Sequence, residues 1–135
     1  MKKTTALIMV LFIGLLALAA CKDDKVGEPV TLESIKTALT DAGYTVIDDI
    51  DSLPENSVDG FLFAFNGAHG EVNIPVYEFK DKESANAYAG TVNTGGDWAA
   101  IVNDNFLTVG EAHHGQLHAN EKTFLENLVN GKPLK

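Results

Sequence analysis

Three of the four histidines fall within six residues, in Glu111-Ala112-His113-His114-Gly115-Gln116-Leu117-His118. Imidazole is the commonest neutral ligand for zinc or copper. His114 and His118 would share a face if the segment turned helically, and Glu111 or Glu121 could complete a ligand set. Gly115, and the position between a predicted strand and a predicted helix, favour a loop, in which spacing fixes no geometry. Two expectations follow: a solvated polar connector first, and a zinc or copper site on His113, His114 and His118 second. A pH-sensitive contact surface is a third use of the same rings.

Other residues offer less. Trp98, after Gly95-Gly96-Asp97, is either a core anchor at the start of a strand or an exposed aromatic able to stack on a sugar or a peptide; burial is the expectation, because large aromatics at strand starts usually bury. His69 and Glu71 flank Gly70 and read as exposed turn residues, with joining the histidine cluster the minor alternative. Asp48, Asp49 and Asp51 supply oxygens of the kind calcium takes, but without the glycine and closing glutamate of a calcium loop they read as a solvated strand end. Ser34, Ser52, Ser57 and Ser84 sit in no Gly-x-Ser-x-Gly setting, and neither a Walker nor a Rossmann glycine pattern is present. A hydrolase using carboxylate and histidine groups is thus a remote alternative, and a non-enzymatic chain is expected.

Composition narrows the partners. From Cys21 onward, eight lysines minus nineteen acidic residues leave a formal charge of −11, and arginine is absent throughout. Missing the commonest bidentate reader of phosphate and carrying so much negative charge, the chain is not expected to bind nucleic acid. About 115 residues suffice for one modest core. With Cys21 the sole cysteine, no intrachain disulfide can form.

The elements that must position these residues follow from periodicity. Thr31 caps a predicted helix with Leu32, Ile35, Leu39 and Ala42 on one face, stopped by Gly43. Residues 44–50 alternate as a strand. Phe61, Phe63 and Phe65 share a strand face, Asn66-Gly67-Ala68-His69-Gly70 turns the chain, and Val72, Ile74 and Val76 alternate on the return, which predicts a hairpin. Pro75 has no N–H to donate and predicts an edge or a bulge. Asp81 caps a second helix burying Ala85, Tyr88, Ala89 and Val92. Residues 98–102 and 106–109 form two strands around Asn103-Asp104-Asn105, and Asn120 caps a last helix bearing Phe124, Leu125 and Leu128. The order α-β-β-β-α-β-β-α predicts an α+β domain over residues 31–135: an antiparallel sheet of four to five strands with about three helices mainly on one face.

The first twenty residues are of another kind. Lys2-Lys3 precede an apolar run from Ala6 to Ala20, the charge and polarity of a signal peptide. Fifteen residues at about 1.5 Å each span roughly 22 Å, short of the roughly 30 Å hydrocarbon core. Leu18-Ala19-Ala20-Cys21 resembles the lipobox of bacterial lipoproteins. That resemblance implies removal of residues 1–20, acylation of Cys21, and a membrane partner engaged through that lipid. Residues 21–30, polar and carrying Gly27 and Pro29, then read as a flexible tether. The expected whole is an extracytoplasmic lipoprotein of the bacterial cell envelope, a binding module for a protein, peptide or glycan, with metal binding as the alternative. Cys21→Ala is expected to release the protein from membranes or leave its precursor unprocessed. Fractionation showing normal processing and unchanged, detergent-dependent attachment would overturn the lipid-anchor reading.

Overall fold

The computed structural model describes residues 28–94 and 96–134, so Cys21, the apolar segment before it and most of the tether lie outside the described residues. Helix α1, Leu32–Asp41, starts where the sequence places it: Ser34 donates its backbone N–H to Thr31 Oγ1 at 3.1 Å, and Thr31 donates its own to Ser34 Oγ at 2.9 Å. This reciprocal pair satisfies two N–H groups that the first turn leaves without partners. At the other end Gly43 takes φ +91°, which lets its N–H reach Thr40 O and the Tyr44 N–H reach Leu39 O.

Strands β1 (Val46–Ile47), β2 (Ser57–Gly67) and β3 (Gly70–Phe79) follow, then α2 (Lys82–Val92), β4 (Trp98–Asn103), β5 (Phe106–His113), β6 (Gln116–Leu117) and α3 (Ala119–Val129). Asp81 caps α2 as expected, its Oδ1 accepting the Ser84 N–H at 2.7 Å. The architecture is α+β, with a six-stranded antiparallel sheet in the order β1-β2-β3-β5-β4, and β6 paired to the end of β5. Because β5 runs antiparallel to both neighbours, β4 is parallel to β3 with β5 between them.

Helices α1 and α3 share one face. There Ile35, Leu39, Leu125 and Leu128 pack on Phe61, Phe63, Ile74 and Val76, and Tyr44, Phe65 and Phe124 extend the cluster through ring contacts of 5.1–6.3 Å. Helix α2 covers the opposite face, where Ala85 and Ala89 let it approach Phe79, Leu107 and Val109 closely. Each phenylalanine buried this way stabilises the fold by about 1.5–3 kcal/mol relative to leaving it in water.

Three local expectations change. The strand predicted over residues 44–50 shortens to two residues, since Asp48 turns out to pair with Lys36 Nζ at 2.6 Å. That contact, aided by the charges of Asp59 and Glu33, holds the Lys36 pKa above its usual value against the opposing effect of burial. The connector after β5 contains a strand of its own, β6. The last helix starts at Ala119 with His118 in the cap position and no side-chain cap, in place of Asn120.

The two halves of the sheet meet in only three residue pairs, Val76, Tyr77 and Glu78 of β3 opposite Thr108, Leu107 and Phe106 of β5. Pro75 sits where this ladder stops. Its carbonyl faces β5, accepting the Thr108 hydroxyl at 2.8 Å, and in a strand the N–H and C=O of one residue point the same way. A proline there presents no donor to β5, so pairing ends. The sequence-based expectation of an edge holds for the half of β3 before Val76, while its second half lies inside the sheet. Thr108 is fully buried, so Thr108→Val, which keeps the shape and removes the donor, is expected to cost about 1–3 kcal/mol by leaving the Pro75 carbonyl unpaired. Urea unfolding checks this: a lowered midpoint with unchanged slope supports it, and an unchanged midpoint refutes it.

Candidate functional site

Where β3 leaves β5, a cleft of about 320 Å³ opens, lined by His69, Asp97, Trp98, Glu111, His113 and His118. Each side chain is placed by a turn or a strand end. His69 lies in the two-residue turn between the paired Gly67 and Gly70. Trp98 and Glu111 are register partners on β4 and β5, so their side chains stand side by side on one face. His113 opposes Gln116 across a hairpin whose central residues, His114 and Gly115, have φ +52° and +77°. Two positive φ values in a two-residue loop are the signature of a type I′ turn; histidine tolerates the left-handed region better than most residues, and glycine enters it freely. Bonds from the Ala112 N–H to Asp97 O and from the Gly115 N–H to Gly96 O, both 2.8 Å, tie this hairpin to the start of β4. His118 is the N-cap residue of α3, and its ring stands 6.3 Å from that of His69.

The free edge of β5 is shared between two partners. Residues 106–108 pair with β3 and residues 112–113 with β6, so the Glu111 N–H falls in the gap between the ladders. Glu121, in the first turn of α3 and only 4% exposed, reaches across to accept it at 3.0 Å. Gly110 makes this approach possible: a Cβ there would lie 2.7 Å from Glu121 Oε1, Leu117 Cδ2 and Leu125 Cδ1. Burial pushes the Glu121 carboxyl pKa up, and the charge of Glu111 adds to this. The hydrogen bond from the Glu111 N–H and the nearby His118 act the other way.

The Glu111 side chain is less well served. Its Oε2 is buried and has no hydrogen-bond partner, the one such side-chain atom among the described residues. The ion pairs found there, Lys36 with Asp48 and Lys122 with Glu126, involve neither Glu111 nor Glu121. An acceptor buried without a donor costs about 1–3 kcal/mol, more when charged.

Of the residues singled out from sequence, His113 and His118 line the cleft and His114 occupies the turn outside its lining, its ring tilted against that of His113 at 4.5 Å between ring centres. His69, expected as an isolated turn residue, joins them from forty-four positions upstream of His113. Among the described residues no group of three or more His, Asp or Glu side chains is arranged to hold a metal ion. Trp98 corrects the expectation of burial: it is 43% exposed, because it starts β4 beyond the apolar cluster under α2, which takes in Ala100 and Val102 but not Trp98. In the sequence Glu111 is marked only as a possible ligand completing a metal set; no local pattern distinguishes a glutamate whose partner strand departs.

A roomier depression of about 550 Å³ runs beside α2, between Glu55, Lys80 and Tyr88. Its polar groups have work already, Asp81 capping α2 and the Lys80 N–H bonding Asn56 O. No buried polar atom lacks a partner there, so the smaller cleft is the better candidate.

Glu121→Gln keeps an acceptor for the Glu111 N–H and removes the charge. Because the folded-state pKa is raised, the carboxyl's contribution to stability is present at low pH and lost as pH climbs through the folded value. The melting temperature of the variant minus that of the wild type should therefore be higher at about pH 8 than at about pH 4, by roughly 4 °C for each kcal/mol of burial cost relieved. A difference independent of pH would contradict it. In comparisons with known proteins, no model of a protein family, no curated protein and no solved structure matches this chain.

Proposed function

We propose that this protein is a binding module of the bacterial cell envelope, anchored through lipid on Cys21, with the cleft between His69, Trp98, Glu111 and His118 as its ligand seat. The observation that carries the reading is the pairing of an exposed tryptophan with a buried, partnerless carboxylate oxygen on adjacent strands. An apolar ring face with a polar acceptor beside it is the usual make-up of a small recognition site. The arrangement holds a ligand more readily than it transforms one. Of the other carboxylates nearby, Glu121 is engaged by the Glu111 backbone N–H and sealed under α3, and Asp97, which lines the cleft with Glu111, is exposed to solvent. Metal capture by His113, His114 and His118 is the weaker reading, since His114 stands outside the cleft lining.

Photo-crosslinking in intact cells separates these possibilities. A photoreactive residue at His113, exposed at the cleft rim, is expected to form discrete adducts that disappear on Trp98→Ala. The same residue at Asn86, exposed on α2, is expected to form none. Equal adducts from both positions, or adducts indifferent to Trp98, would remove the cleft as the binding surface.

A further inference from the structure

The cleft's chemistry is specific enough to name a ligand class. We infer that it seats an alkyl ammonium group, with an N–H donated to the Glu111 carboxylate and the charge lying against the Trp98 ring. This rests on the reading of the cleft as the ligand seat.

Three features converge on it. The partnerless atom is an acceptor, so the ligand must bring a donor. Asp97 and Glu111 line the cleft, Glu121 lies behind it, and no lysine is among the lining residues, so a cation is the complement that the described lining does not supply. Tryptophan is the best of the side-chain rings at attracting a cation over its face, and Trp98 stands beside Glu111 with much of its surface free.

Volume argues the same way. About 320 Å³ lies at the small end of organic-ligand pockets, roughly 300–1,000 Å³. A metal ion with ligands at about 2.0–2.2 Å needs far less room, and no three-ligand group converges among the described residues. A quaternary ammonium would satisfy the ring but leave the carboxylate oxygen without a donor. The ligand is therefore a primary or secondary amine, either free or as the lysine side chain of a peptide.

Trp98 is the only tryptophan in the chain, so its fluorescence reads this cleft alone. The full-length chain, purified from membranes in a non-ionic detergent, is titrated with butylammonium, with Nα-acetyl-lysine amide, and with tetramethylammonium and sodium chloride at matched ionic strength. Saturable changes are expected with the first two and not with the others. Tighter binding of the lysine amide points to a peptide source, and equal or tighter binding of butylammonium to a free amine. Glu111→Gln should weaken binding at least about tenfold, the loss of one charged hydrogen bond. Asp97→Asn, on an exposed side chain, should weaken it several-fold with the fold's melting temperature unchanged, which guards against misfolding of the first variant. The inference is overturned by an equal response to tetramethylammonium, by no saturable response to either amine, by both variants binding like wild type, or by zinc alone saturating the signal in a His69-dependent way. If the amines fail while Trp98-dependent crosslinks at position 113 persist, the cleft remains a seat for another ligand; if both fail, the binding-module reading falls too.

Discussion

The three-pair ladder between β3 and β5 is the joint on which the rest of the structure depends. It is the only strand pairing between the β1-β2-β3 half and the β4-β5-β6 half. At the joint Val76 and Thr108 face α1 and α3, while Tyr77 and Leu107 face α2, so the two cores meet on opposite sides of the same three residue pairs. Tyr77 is held there among Phe79 and Tyr88, with its phenol pKa raised chiefly by burial. A longer ladder would bind the halves more firmly and would also close the cleft. Pro75 limits the ladder through its missing N–H, and Thr108 satisfies the carbonyl left facing the gap.

A gap in a sheet exposes backbone groups that must find partners elsewhere. The structure answers this in two ways on β5. The chain folds back as β6 to pair residues 112 and 113, and Glu121 supplies an acceptor for the N–H of residue 111. The second solution buries a carboxyl at a cost, visible as its raised pKa, and requires the absence of any side chain at Gly110. Glu111 itself is then held through its backbone N–H, with one side-chain oxygen buried and unsatisfied. Buried polar groups without partners are uncommon in folded proteins, and where they face a cleft they are places at which a bound group can restore what folding left unmade.

How much of this is legible in the sequence depends on the distance over which each feature is determined. Thr31, Gly43 and Asp81 act within one turn of a helix, and each does in the structure what its local pattern predicts. The Phe61, Phe63 and Phe65 stripe and the Gly67–Gly70 turn are equally local, and the hairpin follows. Pro75 shows the limit: a missing donor is evident from the residue type, yet which side of the strand it faces depends on β5, more than thirty residues later. The meeting of His69 with His118 requires the whole sheet to be assembled. Trp98 is exposed because α2 ends where it does, which no periodicity within β4 encodes. The His114-Gly115 turn is a local signal, a left-handed-tolerant residue before glycine, but three histidines within six residues equally suit a ligand set, and the residue types alone do not separate the two.

The placement of the cleft fits a tethered protein. Where the described chain begins, Val30 packs beside Gly131, so close that a Cβ at Gly131 would lie 2.9 Å from its Cγ2. Gly131 follows the C-terminal end of α3, whereas His118 caps its N-terminal end. Eleven helical residues at about 1.5 Å each put roughly 16 Å between these two points. The seven residue steps from Cys21 to Glu28 can reach at most about 25 Å when extended. In the proposed lipid-anchored arrangement the membrane therefore lies beyond the Val30 end of the domain, and the cleft opens at the other. In that proposed arrangement Trp98 and Glu111 would face whatever approaches from the aqueous side.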